Sequence, residues 1–455
     1  MISTVSTNGQ VPGLAPVRSP LAQIKLGLEF QRDPLGILAR WQAEYGDFYR
    51  LQVGEMQQYF ISHPDDIREV LVTQAGKFIK DAQYRDPRTG IARYLGNGLL
   101  TSDGEFWRRQ RRLVAPAFHP KRIESYAATM VDYTDRMLAG WRDGERLDIA
   151  EEMTRLTLFI VAKALFNTDV SDDARRVAMA MHTIQQVLGN GWFLPAWLPD
   201  PRQWRVGRAR RNLDQVVYRM IAEWRAAGED RGDLLSMLLL AEDEDGKRMT
   251  DQQARDELVT LLLAGHETTA NTLNWTWLLL AQHPEVEAKL YAELDAVLGE
   301  RSPRMEDLAN LKYTEMVVKE SMRLYPAAWS ISREAIADVP LHHGTVPRGA
   351  IAGVMIYFTQ RDPRWWPDPE RFDPERFGEE RATAIPRYAY LPFGGGPRVC
   401  IGNGFAMLEA RLLLATIASR YRLEKVPGHT VKPAPLITLY PDGGLPMVVR
   451  RRSPA

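Results

Sequence analysis

Hydrophobic residues recur at intervals of three and four along most of the chain, and this spacing predicts a mainly helical protein. The pattern is almost continuously helical between about Ser102 and Leu324. Strand-like stretches are short and lie in the first sixth and the last third of the chain, at Phe48 to Val53, Gln58 to Ser62, Gly349 to Phe358 and Leu436 to Tyr440. We therefore predict an α+β fold that is mainly α with small β-sheets.

Four of the predicted helices carry the residues of chemical interest. The first begins at Ser102, where Glu105 three residues later completes a capping-box pattern. The second runs from about Thr250 to Gln282 and is long enough to cross a whole domain. The third and fourth are predicted near 313–325 and 402–420.

Composition narrows the class of protein. The 455 residues include 58 Lys and Arg and 58 Asp and Glu, and this zero net charge argues against a nucleic-acid binder. The single cysteine, Cys400, excludes an intramolecular disulfide and a zinc site built on paired cysteines. We predict a flexible N-terminal tail over residues 1–22 and a single domain over 23–455. With no signal peptide or long apolar run, we expect a cytoplasmic monomer without a membrane anchor.

The cysteine lies in an unusual loop that runs from Phe393 to Gly402. Three consecutive glycines at 394–396 allow backbone shapes that other residues disfavour. Cys400 immediately precedes a predicted helix, whose N-terminus favours a thiolate and hence a metal ligand. A small buried cysteine and a Cys-His nucleophile are the competing interpretations of an isolated cysteine, although no histidine lies close in the sequence.

The loop resembles the cysteine-ligand loop of the cytochromes P450, the haem-thiolate monooxygenases. The family pattern Phe-x-x-Gly-x-Arg-x-Cys-x-Gly is met at Phe393, Gly396, Arg398, Cys400 and Gly402. The resemblance implies the cytochrome P450 fold, with haem b (iron protoporphyrin IX) held between the long central helix and this loop. It implies that Cys400 is the iron ligand, that Phe393 packs beside it, and that Arg398 pairs with a haem propionate.

The second helix contains the segment Ala264-Gly265-His266-Glu267-Thr268-Thr269. A glycine in mid-helix costs about 1 kcal/mol relative to alanine, and a threonine can bend the helix by bonding back to a carbonyl. The segment resembles the oxygen-binding helix of the same family. The resemblance implies that Thr268 and Glu267 are catalytic, with Glu267 helping to deliver protons, and that Ala264 and Gly265 leave room for O2 and substrate beside the haem.

A second pair of motifs resembles the family's buried structural triad. Glu320 and Arg323 are three residues apart on a predicted helix and therefore share a face. The later Pro-Glu-Arg-Phe segment supplies Arg376 as the third member, although the nearby pair Glu370 and Arg371 leaves that choice open. The implied role is structural.

The first predicted helix resembles the family's Trp-x-x-x-Arg helix. By this resemblance Trp107 and Arg111 contact a haem propionate, and Arg333, in a strand-like run, is a further propionate candidate. The neighbouring basic residues Arg108, Arg109 and Arg112 are either a solvated face or part of the surface on which an electron donor docks.

The weakly patterned segments fall where the family recognises substrate, and they include Tyr84 to Tyr94 and Trp192 to Trp197. The candidate pocket residues are Ala264, Ala327, Ala328, Trp329, Ile331, Ile437 and Thr438. Because these segments are largely apolar, we expect an apolar substrate such as a fatty acid, a terpenoid or a polyketide-like compound.

The expected reaction is hydroxylation or epoxidation, with one atom of O2 inserted into that substrate. Electrons would come from a ferredoxin or flavodoxin with its NAD(P)H reductase, or from a fused reductase absent from this chain. A haem-thiolate peroxygenase and a non-catalytic haem sensor are the alternatives, although neither requires the Glu267-Thr268 pair.

Overall fold

The computed structural model describes residues 11–167, 177, 179–180, 183–184, 202–227, 233–240, 242, 246 and 248–452. The predicted substrate segment Trp192 to Trp197 lies outside these residues. The α-helices over the described residues are α1 Pro20–Arg32, α2 Pro34–Tyr45, α3 Pro64–Arg68, α4 Ala82–Arg85, α5 Ala92–Leu95, α6 Gly104–Val114, α7 Pro120–Ser125, α8 Ala127–Leu138, α9 Ile149–Phe166, α10 Arg202–Ala227, α11 Leu234–Leu240, α12 Asp251–Leu280, α13 Pro284–Leu298, α14 Lys312–Leu324, α15 Ile356–Thr359, α16 Glu379–Ala382 and α17 Asn403–Ala418.

The strands form small sheets, as the sequence pattern predicts. They are β1 Phe48–Val53, β2 Met56–Ile61, β3 Phe78–Ile79, β4 Arg146–Asp148, β5 Ile331–Ala335, β6 Val339–Pro340, β7 Thr345–Val346, β8 Ile351–Val354, β9 Tyr421–Lys425, β10 Lys432–Pro435, β11 Leu439–Asp442 and β12 Pro446–Arg451. The largest sheet has the order β1-β2-β8-β5-β3, in which β2 and β8 are parallel. The other sheets are β4-β12-β9, β10-β11 and β6-β7.

The N-terminal segment is more ordered than a flexible tail through residue 22 would be. Leu14 and Val17 are buried, and their backbone N–H groups donate to the carbonyls of Arg50 and Gln52 on β1. Helix α1 then begins at Pro20, with Ser19 as its N-cap. The predicted boundary is therefore wrong for residues 12–22, because two apolar side chains in this polar stretch are enough to attach it to the sheet.

Helix α12 is the centre of the main hydrophobic core. Its N-terminus has a complete capping box, in which Thr250 and Gln253 exchange hydrogen bonds between side chain and backbone. The helix is buried along nearly its whole length and packs against α9, α14 and α17. Its large tryptophans, Trp275 and Trp277, are almost fully buried. This helix is the rigid element on which the candidate catalytic residues are placed.

The start of α6 differs from the prediction. The helix begins at Gly104 with Asp103 at the N-cap, and no side chain caps its first turn. The Asp103 carboxylate instead accepts hydrogen bonds from the Lys80 N–H and from Arg398. The predicted capping box at Ser102 and Glu105 is therefore wrong, because tertiary contacts set the start of this helix. Among the described residues, no helix combines the length and apolar character needed to cross a bilayer.

Candidate active site

The loop before α17 brings Cys400 to the start of that helix. Gly396 has a φ of +67°, and a Cβ atom at this position would lie 1.8 Å from the carbonyl oxygen of Leu71. Only glycine satisfies both constraints, which accounts for one of the three consecutive glycines. The Cys400 N–H donates to the carbonyl of Phe393 at 3.0 Å, and the half-buried Phe393 ring packs against the main core.

The Cys400 side chain is accessible, yet the protein packed around it raises the pKa of the thiol through burial. The Gly402 N–H and the Arg111 guanidinium act in the opposite direction. The helix N-terminus was expected to favour a thiolate, but within the protein alone the cost of burying the charge is larger. Binding a cation at this sulfur would reverse that balance.

Three cations converge on the region between β5, α6 and the cysteine loop. Lys80 and Arg333 are each 7% exposed, and Arg398 is half-buried. Burial is the largest cause that lowers the pKa of each of these three groups. Charge repulsion from Arg333 and Arg398 lowers the pKa of Lys80 further. The pKa of Arg398 falls to about 10. Lys80 was not among the predicted site residues, since nothing in the local pattern distinguishes it from a surface lysine.

The charge of this cluster is only partly neutralised by the protein. Asp81 and Asp103 are the acidic groups that favour the charged forms of these cations. Among the residues that the structure describes, the buried Nη1 atom of Arg398 has no hydrogen-bond partner, although its Nη2 donates to Asp103 and to the carbonyl of Ser102. A buried, unsatisfied guanidinium N–H beside excess positive charge fits an anionic ligand. The two propionates of haem have the required charge and hydrogen-bond acceptors.

Helix α6 supports the cysteine loop through two residues that the motif predicted. Arg111 Nη1 donates to the carbonyl of Val399 at 2.9 Å, which ties the helix to the residue before Cys400. The Trp107 ring lies beneath the Arg398 guanidinium, at 4.3 Å from ring centroid to guanidinium carbon. In this structure both residues therefore contact the loop and its arginine directly.

The middle of α12 is more accessible than its surroundings at three positions, which form an opening. Ala264 is exposed, and Gly265 and Thr268 are half-buried, whereas the other residues of this segment are buried. The Thr268 hydroxyl donates to the Ala264 carbonyl at 2.7 Å. Gly265 differs from expectation, because a Cβ atom there would lie 2.6 Å from Cγ2 of Val161 on α9. The small size of Gly265 therefore allows α9 to approach, and Ala264 is the position that leaves space beside the site.

Glu267 lies beside this opening and points toward the C-terminal sheets. Its carboxylate accepts a hydrogen bond from the Thr438 hydroxyl, which in turn accepts one from Asn271 Nδ2 at 3.1 Å. Burial raises the pKa of Glu267 to about 7, and the hydrogen bond from Thr438 opposes that rise. Thr438 was predicted only as a pocket residue and Asn271 was not predicted at all, because a contact between residues 167 positions apart leaves no local pattern.

The structure brings the predicted triad together. Arg323 donates from Nε and Nη2 to the two Glu320 oxygens at 2.7 and 2.8 Å, and Arg376 Nε donates to Glu320 Oε1 at 3.3 Å. All three side chains are buried. Arg371, the alternative, contributes only its backbone carbonyl, which accepts from Arg323.

Two of the predicted substrate segments are adjacent in space. The Leu439 N–H donates to the Ala327 carbonyl at 2.9 Å, and Trp329 Nε1 donates to the Leu436 carbonyl at the same distance. Ala328, Ile331 and Ile437 are half-buried, whereas Ala327 and Thr438 are buried. The two segments thus form one mainly apolar surface next to α12.

Comparison with known proteins agrees with this arrangement. The sequence profile of the family described as Cytochrome P450 matches residues 12–442. Two proteins of Streptomyces melanosporofaciens are each 40% identical to this chain. The match to cyclooctatin synthase covers 94% of this chain and 93% of that protein. The match to cyclooctat-9-en-7-ol 5-monooxygenase covers 98% of this chain and 96% of that protein. Pentalenene oxygenase from Streptomyces avermitilis is 36% identical and covers 98% of both chains. The cysteine loop, the α12 segment and these similarities together show that the chain belongs to the cytochrome P450 family and is a haem-thiolate monooxygenase of an apolar substrate.

Proposed function

We propose that this monooxygenase inserts one atom of dioxygen into a terpenoid, either a cyclic hydrocarbon or its alcohol. The choice among the apolar substrate classes rests on the similarity to two oxygenases that are named for cyclooctat-9-en-7-ol and pentalenene, and to cyclooctatin synthase. The apolar surface formed by Ala328, Trp329, Ile331 and Ile437 is suited to such a compound.

A spectral titration of the haem-loaded protein tests the substrate class. Cyclic terpenes and terpene alcohols are expected to shift the Soret band at micromolar concentrations. Fatty acids and polyketide macrolides serve as the comparison. Tight binding of a fatty acid or macrolide, with no response to terpenoids, would contradict the proposal.

The proposed cofactor is haem b, with Cys400 as its iron ligand. Haem supplies the oxygen chemistry, and a thiolate ligand favours cleavage of the O–O bond. Lys80, Arg333 and Arg398 would hold the propionates, since this cluster contains a buried guanidinium N–H without a partner. The Cys400→Ala variant should lose the red-shifted Soret band of the ferrous carbon monoxide complex. If the band persists, another residue is the ligand.

Glu267 and Thr268 are the proposed proton-handling residues. A carboxyl group with a pKa of about 7 can hold and release a proton near neutral pH. Thr268 lies at the opening beside Ala264 and offers a hydroxyl there. A pair with these properties favours dioxygen as the oxidant over peroxide, because only the dioxygen reaction requires protons to be delivered during turnover.

The proposed electron donor is a ferredoxin or flavodoxin with its NAD(P)H reductase. A single cysteine cannot hold an iron–sulfur cluster, so these 455 residues would receive their electrons from a separate protein or from a reductase fused to them. The exposed residues Arg108 and Arg112 lie on α6, the helix that contacts the cysteine loop. Acidic donors would be attracted to this face. We further propose that the enzyme is a cytoplasmic monomer.

A further inference from the structure

Glu267 and Thr268 are adjacent in the sequence but have different hydrogen-bond partners. The Thr268 hydroxyl donates to the Ala264 carbonyl at 2.7 Å, within α12. The Glu267 carboxylate instead accepts from the hydroxyl of Thr438, which immediately precedes β11. Both Glu267 and Thr438 are 7% exposed, so water competes little for this bond. The orientation of the acid therefore depends on a residue outside its own helix.

Thr438 is itself firmly held. Its hydroxyl accepts a hydrogen bond from Asn271 Nδ2 at 3.1 Å, and Asn271 lies one turn after Glu267 on the same face of α12. The backbone of the next residue, Leu439, accepts from Trp275 Nε1 and donates to the Ala327 carbonyl, both at 2.9 Å. The Thr438 hydroxyl is thus already engaged as donor and as acceptor. Both hydrogen bonds join this hydroxyl to residues of α12, and both form without any bound substrate.

We propose that Thr438 is a positioning residue for Glu267, and that its hydroxyl, oriented by Asn271, holds the carboxyl group in the one orientation from which protons are delivered. This inference rests on the proton-delivery role proposed above for Glu267. An acid that rotates freely delivers protons from a productive geometry only part of the time, and small displacements have large effects on such steps. Thr438 would therefore control coupling, the fraction of electrons that appear in product.

A matched pair of substitutions separates the hydroxyl from the shape of the side chain. Thr438→Val keeps the branched shape and removes the hydroxyl, whereas Thr438→Ser keeps the hydroxyl. Thr438→Val should reduce product formed per electron by about three- to tenfold, with a matching rise in peroxide and a larger solvent isotope effect. Thr438→Ser should restore most of the coupling. Asn271→Leu, which removes the second hydrogen bond, should lower coupling in the same direction and provides an independent route should Thr438→Val fold poorly.

Infrared spectroscopy supplies a readout that does not depend on turnover. In the resting protein below neutral pH, the difference spectrum against Glu267→Gln identifies the carboxyl stretch of Glu267. Loss of a hydrogen bond to the carboxyl oxygen in Thr438→Val should shift this band to higher frequency, and Thr438→Ser should return it. A band that is the same in Thr438→Val and wild type would overturn the proposal.

The two hypotheses fail in different ways. Unchanged coupling in Glu267→Gln would refute the proton-delivery role, and the positioning role with it. Reduced coupling in Glu267→Gln together with normal coupling in Thr438→Val would refute only the positioning role. A weaker substrate affinity in Thr438→Val without any loss of coupling would make Thr438 a substrate contact instead, and would also refute the proposal.

Discussion

The guanidinium of Arg398 lies over the ring of Trp107, with 4.3 Å between the guanidinium carbon and the ring centroid. The same guanidinium donates to Asp103 and to the Ser102 carbonyl at the start of α6. A flat, delocalised cation can stack on an indole and bond in its own plane at once, which the ammonium of lysine cannot do. One arginine thus joins the cysteine loop to α6.

Replacing Arg398 with lysine should therefore weaken haem retention while the positive charge remains. Since the stacking and the paired N–H donors are lost together, we expect haem to leave the protein at least about tenfold faster. The measurement is the rate of haem transfer to an excess of apomyoglobin. Arg205→Lys on α10, at an exposed position, is the matched control. Equal rates in the two variants would show that Arg398 does not hold the cofactor.

The Glu320 triad should contribute far more to stability than the exposed ion pairs do. Glu320→Gln removes the charge that two buried arginines share, and such a loss costs about 3–5 kcal/mol. The expected result is a much lower thermal midpoint and a low yield of haem-loaded protein. The control uses an exposed pair at the start of the same helix α14, where Lys312 and Glu379 lie 3.2 Å apart. Glu379→Gln should cost less than about 1 kcal/mol.

The sequence predicted those structural features that depend on residues close together along the chain. The period of apolar residues predicted a helix from about Thr250 to Gln282, which matches α12 to within two residues at each end. The spacing of Glu320 and Arg323 predicted their contact, because three residues on a helix place side chains on one face. Long-range geometry was needed to select Arg376 over Arg371, since both lie in an irregular segment with the same residue types.

Features that depend on contacts between distant segments could not be predicted in this way. Lys80 joins the cluster with Arg333 and Arg398 only because β3 pairs with β5. Gly265 was expected to leave room for oxygen, but its close neighbour is Val161, more than 100 residues earlier. The chemical environment of Glu267 depends on Thr438, which follows it by 171 residues.

Glu257 should make stability depend on pH. It is buried on α12 and accepts from the Leu99 N–H at 3.1 Å, and its other oxygen has no hydrogen-bond partner within the described part of the chain. Burial raises its pKa from 4.5 to about 8. Between these values the folded protein keeps a proton that the unfolded chain releases, so the free energy of unfolding falls as pH rises.

The Glu257→Gln variant tests this assignment because a neutral side chain cannot titrate. Relative to wild type, the variant should gain stability progressively from about pH 4.5 to about pH 8, by a few kcal/mol at most. Any loss of packing or hydrogen bonding in the variant shifts its stability by the same amount at every pH. The measurement is the difference in thermal midpoint between the two proteins across this range. A difference that does not change with pH would show that Glu257 is ionised in the folded state.

Thr268→Ala should separate electron consumption from product formation. The variant loses the hydroxyl at the opening beside Ala264, so we expect NAD(P)H consumption to continue while more electrons appear as peroxide. Thr276→Ala is the matched control, since the Thr276 hydroxyl donates to the carbonyl four residues earlier in the same way but is fully buried two turns away. Equal product per electron in Thr268→Ala and wild type would exclude the proposed role.

Electron delivery should depend on the charge of α6. Arg108 and Arg112 are exposed on this helix, and Arg111 connects it to the residue before Cys400. Reversing one charge, as in Arg112→Glu, should slow reduction by an acidic ferredoxin several-fold at low ionic strength. The difference should shrink as salt is added, because exposed charges are screened over about 10 Å at 0.1 M.

Two comparisons separate docking from damage to the site. Arg205→Glu makes the same charge change on α10 and should leave the rate of reduction nearly unchanged. Peroxide-driven turnover bypasses the donor and should be unaffected by Arg112→Glu. If the peroxide-driven and donor-driven rates fall together, Arg112 supports the fold or the cofactor. If neither rate falls, the donor binds elsewhere and the basic face of α6 is a solvated surface.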